Sequence, residues 1–352
     1  MALELSKKGM SIEPSVTLAI SAKASAMKKA GENVISFSVG EPDFNTPENI
    51  QKAGIEAITT GITKYTPASG TPEIKEAICK KFKNENGLEY KPSQIIVSNG
   101  GKHSLYNALM AILNPGDEVI FSIPYWVSYP ELVMIAGGVP VKLPTKEENE
   151  FKFSSADLEA AKTDKTKAII INSPSNPTGS VYSKEELQDI ADWAVKNNII
   201  VISDELYEKL IYDGYEHISI ASLNEDIKNL TIVVNGMAKA YAMTGWRIGY
   251  AAGDEKIIKI MSNLQSHTTS NPNSIAQYAS IEGLSGSQDG IMKMKAEFDK
   301  RRKVMVDLIN GIKGVSCATP KGAFYVMLNI SQLLGAEVEG VKINSSVDFA
   351  DL

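Results

Sequence analysis

Cysteine is nearly absent: Cys79 and Cys317 are the two thiols in 352 residues. Two isolated, widely separated cysteines give no disulfide framework and no cysteine-based metal site, and both are expected to be buried and inert. Histidine is also scarce. His103, His217 and His267 show no metal-ligand spacing, so each is expected to be solvated or hydrogen-bonded and no metal is expected. Charge of one sign is lacking too, since 36 Lys and Arg stand against 42 Asp and Glu for a net charge of −6. Without a basic block or an Arg-rich face, nucleic acid is excluded as a partner. No uncharged run approaches the roughly 18 residues of a membrane helix, and MALELSKKGMSIEPSV at the start carries no secretory apolar core. No membrane partner and a cytoplasmic location are expected. Repeats, low-complexity tracts and Gly/Ser linkers are missing. Arginine is scarcest of the charged residues, confined to Arg247, Arg301 and Arg302.

What is there is a chain of 43% hydrophobic and 22% charged residues, long enough for two domains or for one large α/β unit with an appendage. Between Gln94 and Gly253 short β-branched runs (QIIVS, DEVIF, KAIIIN, IIVIS, TIVVN, RIGYAA) alternate with helical patterns. That order predicts an α/β fold: a three-layer αβα arrangement around a mostly parallel sheet. After QIIVSNGG, the residues Leu105, Ala108, Leu109, Ile112 and Leu113 follow the helical period until NPGD ends it. SKEELQDIADWAVKNN opens with Ser183 and Glu186 in capping-box spacing. SIAQYASIEGL and MKMKAEFDKRRKVMVDLIN read as long helices, and GAFYVMLNI as a strand after a Pro-Lys-Gly turn. The pattern predicts a large domain over 45–285 and a smaller α+β domain from 1–44 and 286–352.

Lys239 sits in VVNGMAKAYAMTGWRIGYAAG, where nearly every neighbour is small or apolar. It admits two readings: a surface lysine whose stem lies along apolar neighbours, or a desolvated amine of lowered pKa able to form a Schiff base with a carbonyl. Gly100 and Gly101, between strand QIIVS and the next helix, read either as a turn or as a place where bare N–H groups and the helix dipole face an anion. Arg247 reads as a salt-bridge partner or as a bidentate phosphate ligand. No GxGxxG follows a first strand and no GxxxxGK[ST] occurs, so a small monophosphate fits better than a dinucleotide or triphosphate. Asp204 falls at the carboxyl end of a strand, where open α/β sheets collect ligands. It is either a helix cap or a fixed charge that keeps a heteroaromatic nitrogen protonated. Tyr207 follows one turn later. Asn176 in SPSNPTG is a turn asparagine or a ligand contact, and Trp126 in PYWVSYP is a core aromatic or a stacking surface.

Together GEPDF, KYTPASG, GGK, PYWVSYP, NSPSNPTG, SDELYE and NGMAKAYAMTGWRIGY resemble, in order and spacing, the class I pyridoxal-phosphate-dependent aminotransferases, and among them the bacterial aspartate aminotransferase-like subgroup. The resemblance runs from the first helix to about residue 330. It implies pyridoxal 5'-phosphate as cofactor, with Lys239 forming the internal aldimine and shuttling the proton, Asp204 on the ring nitrogen, and Asn176 and Tyr207 on the phenolic oxygen. Trp126 corresponds to the aromatic stacked on the ring, and Arg247, Gly100, Gly101 and Lys102 to the phosphate cradle. Tyr65 corresponds to a tyrosine reaching the phosphate from a partner subunit, which implies a homodimer with shared sites. Gly40 corresponds to a backbone substrate contact, and Lys102, Trp126 and Asn176 also face the substrate. The implied reaction moves an amino group between L-aspartate and 2-oxoglutarate by a ping-pong mechanism. Aspartate/prephenate or aromatic amino transfer, a β-lyase reaction on the same fold and a catalytically silent cofactor-binding protein are the alternatives.

Family members clamp the substrate α-carboxylate with an arginine near their C-terminus. Arg301 and Arg302, in EFDKRRKV, match ordinary helix positions instead. The sequence ends at DFADL, before such a residue is reached, and is expected as written to hold cofactor better than substrate.

Overall fold

The computed structural model describes residues 3–37, 39–338 and 340–352. Its centre is a seven-stranded sheet of β1 (Ile95–Ser98), β2 (Glu118–Ile123), β3 (Val139–Pro144), β4 (Thr166–Asn172), β5 (Ile200–Asp204), β6 (Thr231–Gly236) and β7 (Gly249–Ala252), in the order β1-β7-β6-β5-β4-β2-β3. β3, β2, β4, β5 and β6 run parallel, whereas β7 is antiparallel to both β1 and β6.

The strands are short continuous apolar runs because both faces are covered. Successive side chains point to opposite faces. Ile96, Val119, Phe121, Ile170, Ile202, Ile232 and Val234 therefore pack beneath helices Gly101–Ile112, Tyr129–Ile135 and Glu255–Thr268. Their neighbours Ile120, Ile169, Ile171 and Val201 pack on the other side with helix Lys184–Asn197. Ile95, Val97, Val233 and Tyr250 do so with helices Pro72–Asn86 and Ser274–Ser285. This is the expected three-layer αβα fold.

Ser183 caps helix Lys184–Asn197 as its spacing predicts: Ser183 N–H donates to Glu186 Oε2 at 2.7 Å, and Glu186 N–H donates to Ser183 Oγ at 3.3 Å. Ser183→Ala is expected to cost about 1 kcal/mol in denaturant unfolding. Leu105, Ala108, Leu109, Ile112 and Leu113 are all buried. Cys317 is buried and Cys79 half-buried.

Three readings need correction or addition. GAFYVMLNI is not a strand: it makes only the isolated bridges Ile211 to Gly322 and Ser316 to Asn329. Ala323 has φ +57°, so the backbone turns out of extended geometry just where Phe324 and Tyr325 enter the molecule. RIGYAA is antiparallel to β6: the connection over residues 237–248 holds no α-helix to cross over the sheet and returns the chain at Gly249 opposite Gly236. VPVKLP forms β3, which its proline and half-exposed edge position hide from pattern reading.

No helix among the described residues is long and apolar enough to cross a membrane.

Beneath the tip of β5 lies a buried charged cluster. The side chain of Lys81 is 0% exposed and forms an ion pair with Glu208, itself 7% exposed. Lys81 Nζ also donates to Asn86 Oδ1 at 2.7 Å. Glu205, fully buried, accepts from Ser203 Oγ and Ser219 Oγ and meets His217 Nε2 at 3.0 Å. Burial pushes the Glu208 carboxyl up, but Lys81, His217 and the bond from Asn86 outweigh it and hold the group at about 2.

Candidate active site

β4, β5 and β6 are parallel, and β1 points the same way because β7 reverses direction twice between it and β6. Their carboxyl ends therefore share one edge, and the residues following them converge. Asn172 comes from β4, Asp204 from β5, Lys239 from three residues beyond β6, and Gly100 and Gly101 from just beyond β1.

At that edge lies a cavity of about 690 Å³ whose wall includes Gly101, Lys102, Trp126, Asn176, Asp204, Tyr207 and Lys239, with Gly40 at its side. Gly100 and Arg247 do not line this cavity; Gly100 is buried next to Gly101 and Arg247 is exposed. Gly100 has φ +92°, a backbone conformation that favours glycine, and the guanidinium of Arg247 lies close beside it. Arg247 donates to Asn99 O at 3.3 Å and to Thr244 O at 2.9 Å. Tyr65 does not join them: its side chain is 93% exposed on the surface of this chain.

Lys239 Nζ donates to the carbonyl oxygen of Gly40 and stands 5.8 Å from the ring centre of Tyr207 and 5.7 Å from that of Phe324. Burial lowers its pKa to about 8 and the positive charge of Arg247 assists, against the opposing pull of Glu41 and Asp204. The second of the two readings of Lys239 thus has its physical basis: a desolvated amine, neutral in a large fraction near pH 8.

Asp204 is 6% exposed. Burial raises its pKa to about 6, although Oδ2 accepts from Tyr129 Oη at 2.7 Å and Oδ1 from Leu206 N–H at 3.3 Å. An ionised carboxylate here is costly unless a cation faces it. Asn172 organises the loop above: its Nδ2 donates to Asp204 O at 3.0 Å and its Oδ1 accepts from Asn176 N–H at 2.7 Å. Lys102, in the cavity wall, has its Nζ 5.1 Å from the Trp126 ring centre. Partial desolvation and then the charge of Arg247 lower its pKa.

Helix Gly101–Ile112 begins with no side-chain cap. Its first N–H groups are left for another acceptor, and with Arg247 alongside they suit a doubly charged phosphate. An aldehyde would meet the neutral amine of Lys239, and a pyridine nitrogen would offer Asp204 the cation its burial calls for. The donor set fits pyridoxal 5'-phosphate.

Arg301 and Arg302 also reach the cavity wall. Arg302 spends its donors on Asp299, Asp213 and Pro320 O. Arg301 pairs with Asp43 at 2.8 Å and with Glu297 at 3.4 Å.

Sequence reading missed Tyr129, Asn172 and Tyr325. Tyr129 and Asn172 lie inside quoted motifs, PYWVSYP and NSPSNPTG, and helical spacing from Trp126 could have drawn attention to Tyr129. Tyr325 had no local signal, because its segment reads as strand.

Fold and donor set are those of a pyridoxal-phosphate-dependent enzyme. Residues 32–347 match the family model for aminotransferase class I and II. The chain is 53% identical over 328 residues to the aspartate aminotransferase of Bacillus sp. (strain YM-2), covering 93% of this chain and 84% of that protein. It is 48% identical to the aspartate/prephenate aminotransferase of Cereibacter sphaeroides, covering 96% and 85%. Among solved structures, the aspartate aminotransferase from Rhizobium meliloti superposes with TM-score 0.95 at 42% identity, covering 99% of this chain and 88% of that one. That from Thermus thermophilus with maleate gives 0.92 at 41%, covering 99% and 93%. The chain belongs to the class I and II aminotransferases and is a pyridoxal-phosphate-dependent aminotransferase of the bacterial aspartate aminotransferase-like subgroup.

Proposed function

We propose that this enzyme moves the amino group of L-aspartate to 2-oxoglutarate by a ping-pong mechanism. The observation that carries the reading is that a buried amine of lowered pKa, Lys239, and a buried carboxylate, Asp204, line one cavity together with Lys102. When bound, pyridoxal 5'-phosphate supplies an aldehyde and an electron-withdrawing ring.

This chain's residues then have distinct tasks. Lys239 would hold the aldehyde carbon of the cofactor, and its Nζ, when free, would take the proton from the substrate α-carbon and return it to the cofactor carbon that receives the amino group. Asp204 keeps a positive charge on the ring nitrogen, and Asn176 and Tyr207 address the phenolic oxygen. Trp126 covers one ring face. Gly100, Gly101, Lys102 and Arg247 hold the phosphate, joined by Tyr65 from a second copy in a homodimer. Gly40, Lys102, Trp126 and Asn176 face the substrate. Residues 45–285 form the cofactor-holding unit, and 1–44 with 286–352 the smaller one.

A half-reaction panel with aspartate, glutamate, phenylalanine and prephenate tests the substrate. Aspartate is expected to convert the cofactor fastest; a panel led by phenylalanine overturns the reading. Lys102→Gln is expected to raise the KM for aspartate by about 10- to 100-fold, as for one lost charge-assisted hydrogen bond, with phenylalanine little affected.

A second reading, aspartate/prephenate amino transfer, has support in the same wall: Tyr125, Trp126, Phe324 and Tyr325 give it an aromatic lining, and relatives such as the Cereibacter sphaeroides enzyme carry that name. Prephenate turnover comparable to that of aspartate decides for it.

A further inference from the structure

Tyr325 belongs to the segment whose structure the sequence hides, and it meets Tyr207 inside the cavity. The two hydroxyl oxygens are 2.7 Å apart and share one hydrogen bond. Their rings cross edge to face with centroids 5.6 Å apart, and Phe324 packs against Tyr207 in the same way at 5.6 Å. On its other side Tyr325 rests on Gly40, where a Cβ would lie 2.2 Å from the Tyr325 hydroxyl oxygen. Gly40 is also the residue whose carbonyl holds Lys239 Nζ. Gly40, Tyr325 and Tyr207 thus form one packed chain from the N-terminal segment to the turn after β5.

A tyrosine hydroxyl has one proton and two acceptor positions. If Tyr207 donates to Tyr325, it has no proton for a cavity ligand. If Tyr325 donates to Tyr207, the proton of Tyr207 is free to point into the cavity, and accepting a bond makes it a stronger donor. Gly40 leaves the Tyr325 hydroxyl the room to sit where it makes this bond, since a Cβ there would collide with it.

We propose that Tyr325 is a positioning residue whose hydroxyl donates to Tyr207 and thereby directs the Tyr207 proton toward the cofactor's phenolic oxygen. The proposal rests on the role given above to Tyr207. It adds that this role is not intrinsic to Tyr207 but is set by a residue 118 positions away in sequence.

The test is the pH titration of the visible band of protein loaded with pyridoxal 5'-phosphate. A donor on the phenolic oxygen stabilises its negative charge and so lowers the midpoint of that band. Tyr325→Phe keeps the ring and removes the bond, and is expected to raise the midpoint by about half a unit to one unit with the cofactor still bound. Gly40→Ala, which displaces Tyr325 by a different route, is expected to move it in the same direction. In a Tyr207→Phe background the effect of Tyr325→Phe is expected to vanish, because Tyr325 acts only through Tyr207. An unchanged midpoint in Tyr325→Phe, or an equal shift with and without Tyr207, overturns the proposal while leaving the cofactor site intact. If wild-type protein develops no visible band, the reading of the site falls and this inference with it.

Discussion

Replacing Lys239 with alanine is expected to lower transamination by about 10⁴-fold, the range set by loss of a positioned base, and to abolish borohydride trapping of the cofactor on the peptide that contains residue 239. Lys239→Arg is expected to be as inactive, because a guanidinium stays charged and cannot act as a nucleophile. In wild type the rate of cofactor capture should climb through about pH 8, the value to which burial first and Arg247 second lower the amine, and not through the ordinary lysine range. Capture that rises only above pH 10, or a label on another lysine, contradicts the assignment.

The same shift makes an unusual stability statement. Between about pH 8 and 10.5 the folded state carries fewer protons at Lys239 than the unfolded chain, so its contribution to stability increases as pH rises through that window. Below pH 8 the buried ammonium is a burden on the cofactor-free fold. Lys239→Ala is therefore expected to raise the stability of cofactor-free protein at pH 7 by about 1 kcal/mol or more, measured by urea unfolding. A large destabilisation instead would mean that Lys239 is chiefly a packing residue.

Lys81→Met is expected to destabilise the protein by about 3 to 5 kcal/mol, the usual result of removing one partner from a buried ion pair. The helix Pro72–Asn86 buries Lys81 beside Ile74, Ala77, Ile78 and Phe82, where a thioether fits easily. The loss comes from what remains: Glu208, buried with no ammonium opposite. Because the Glu208 pKa is held down at about 2, its contribution is fully present above about pH 4.5 and is lost as pH falls toward 2. In Lys81→Met that acid-dependent component should shrink. The double variant Lys81→Met/Glu208→Leu should recover most of the loss, since neither charge is then left alone. Failure of the double variant to recover would assign the loss to packing.

The sheet was legible because its strands are buried on both faces and leave unbroken apolar runs; six of the seven strands stand where QIIVS, DEVIF, KAIIIN, IIVIS, TIVVN and RIGYAA stand. The direction of β7 was not, since antiparallel and parallel neighbours buried on both faces use the same residues. Lys239, Asp204, Asn176, Tyr207, Trp126, Lys102 and Gly101 were brought to one cavity because each lies in a short motif anchored to a strand end, and Gly40 joins them from the loop before helix Glu48–Thr59. Tyr325 and Tyr129 escaped notice for the opposite reason. Their contacts run across the fold, to Tyr207 and Asp204; Tyr325 has no local signal, and Tyr129 has only its helical spacing from Trp126. The buried Lys81 was equally silent, lying in a helix otherwise rich in exposed lysines.

The reversed direction of β7 has one more consequence. Because β6 and β7 are antiparallel neighbours with Gly236 opposite Gly249, the loop that carries both Lys239 and Arg247 leaves and re-enters the sheet at a single point. From that one junction it carries Lys239 into the cavity and Arg247 to the carbonyl of Asn99. A residue inserted between Lys239 and Arg247 is therefore expected to disturb both at once, since neither has a strand of its own to hold it.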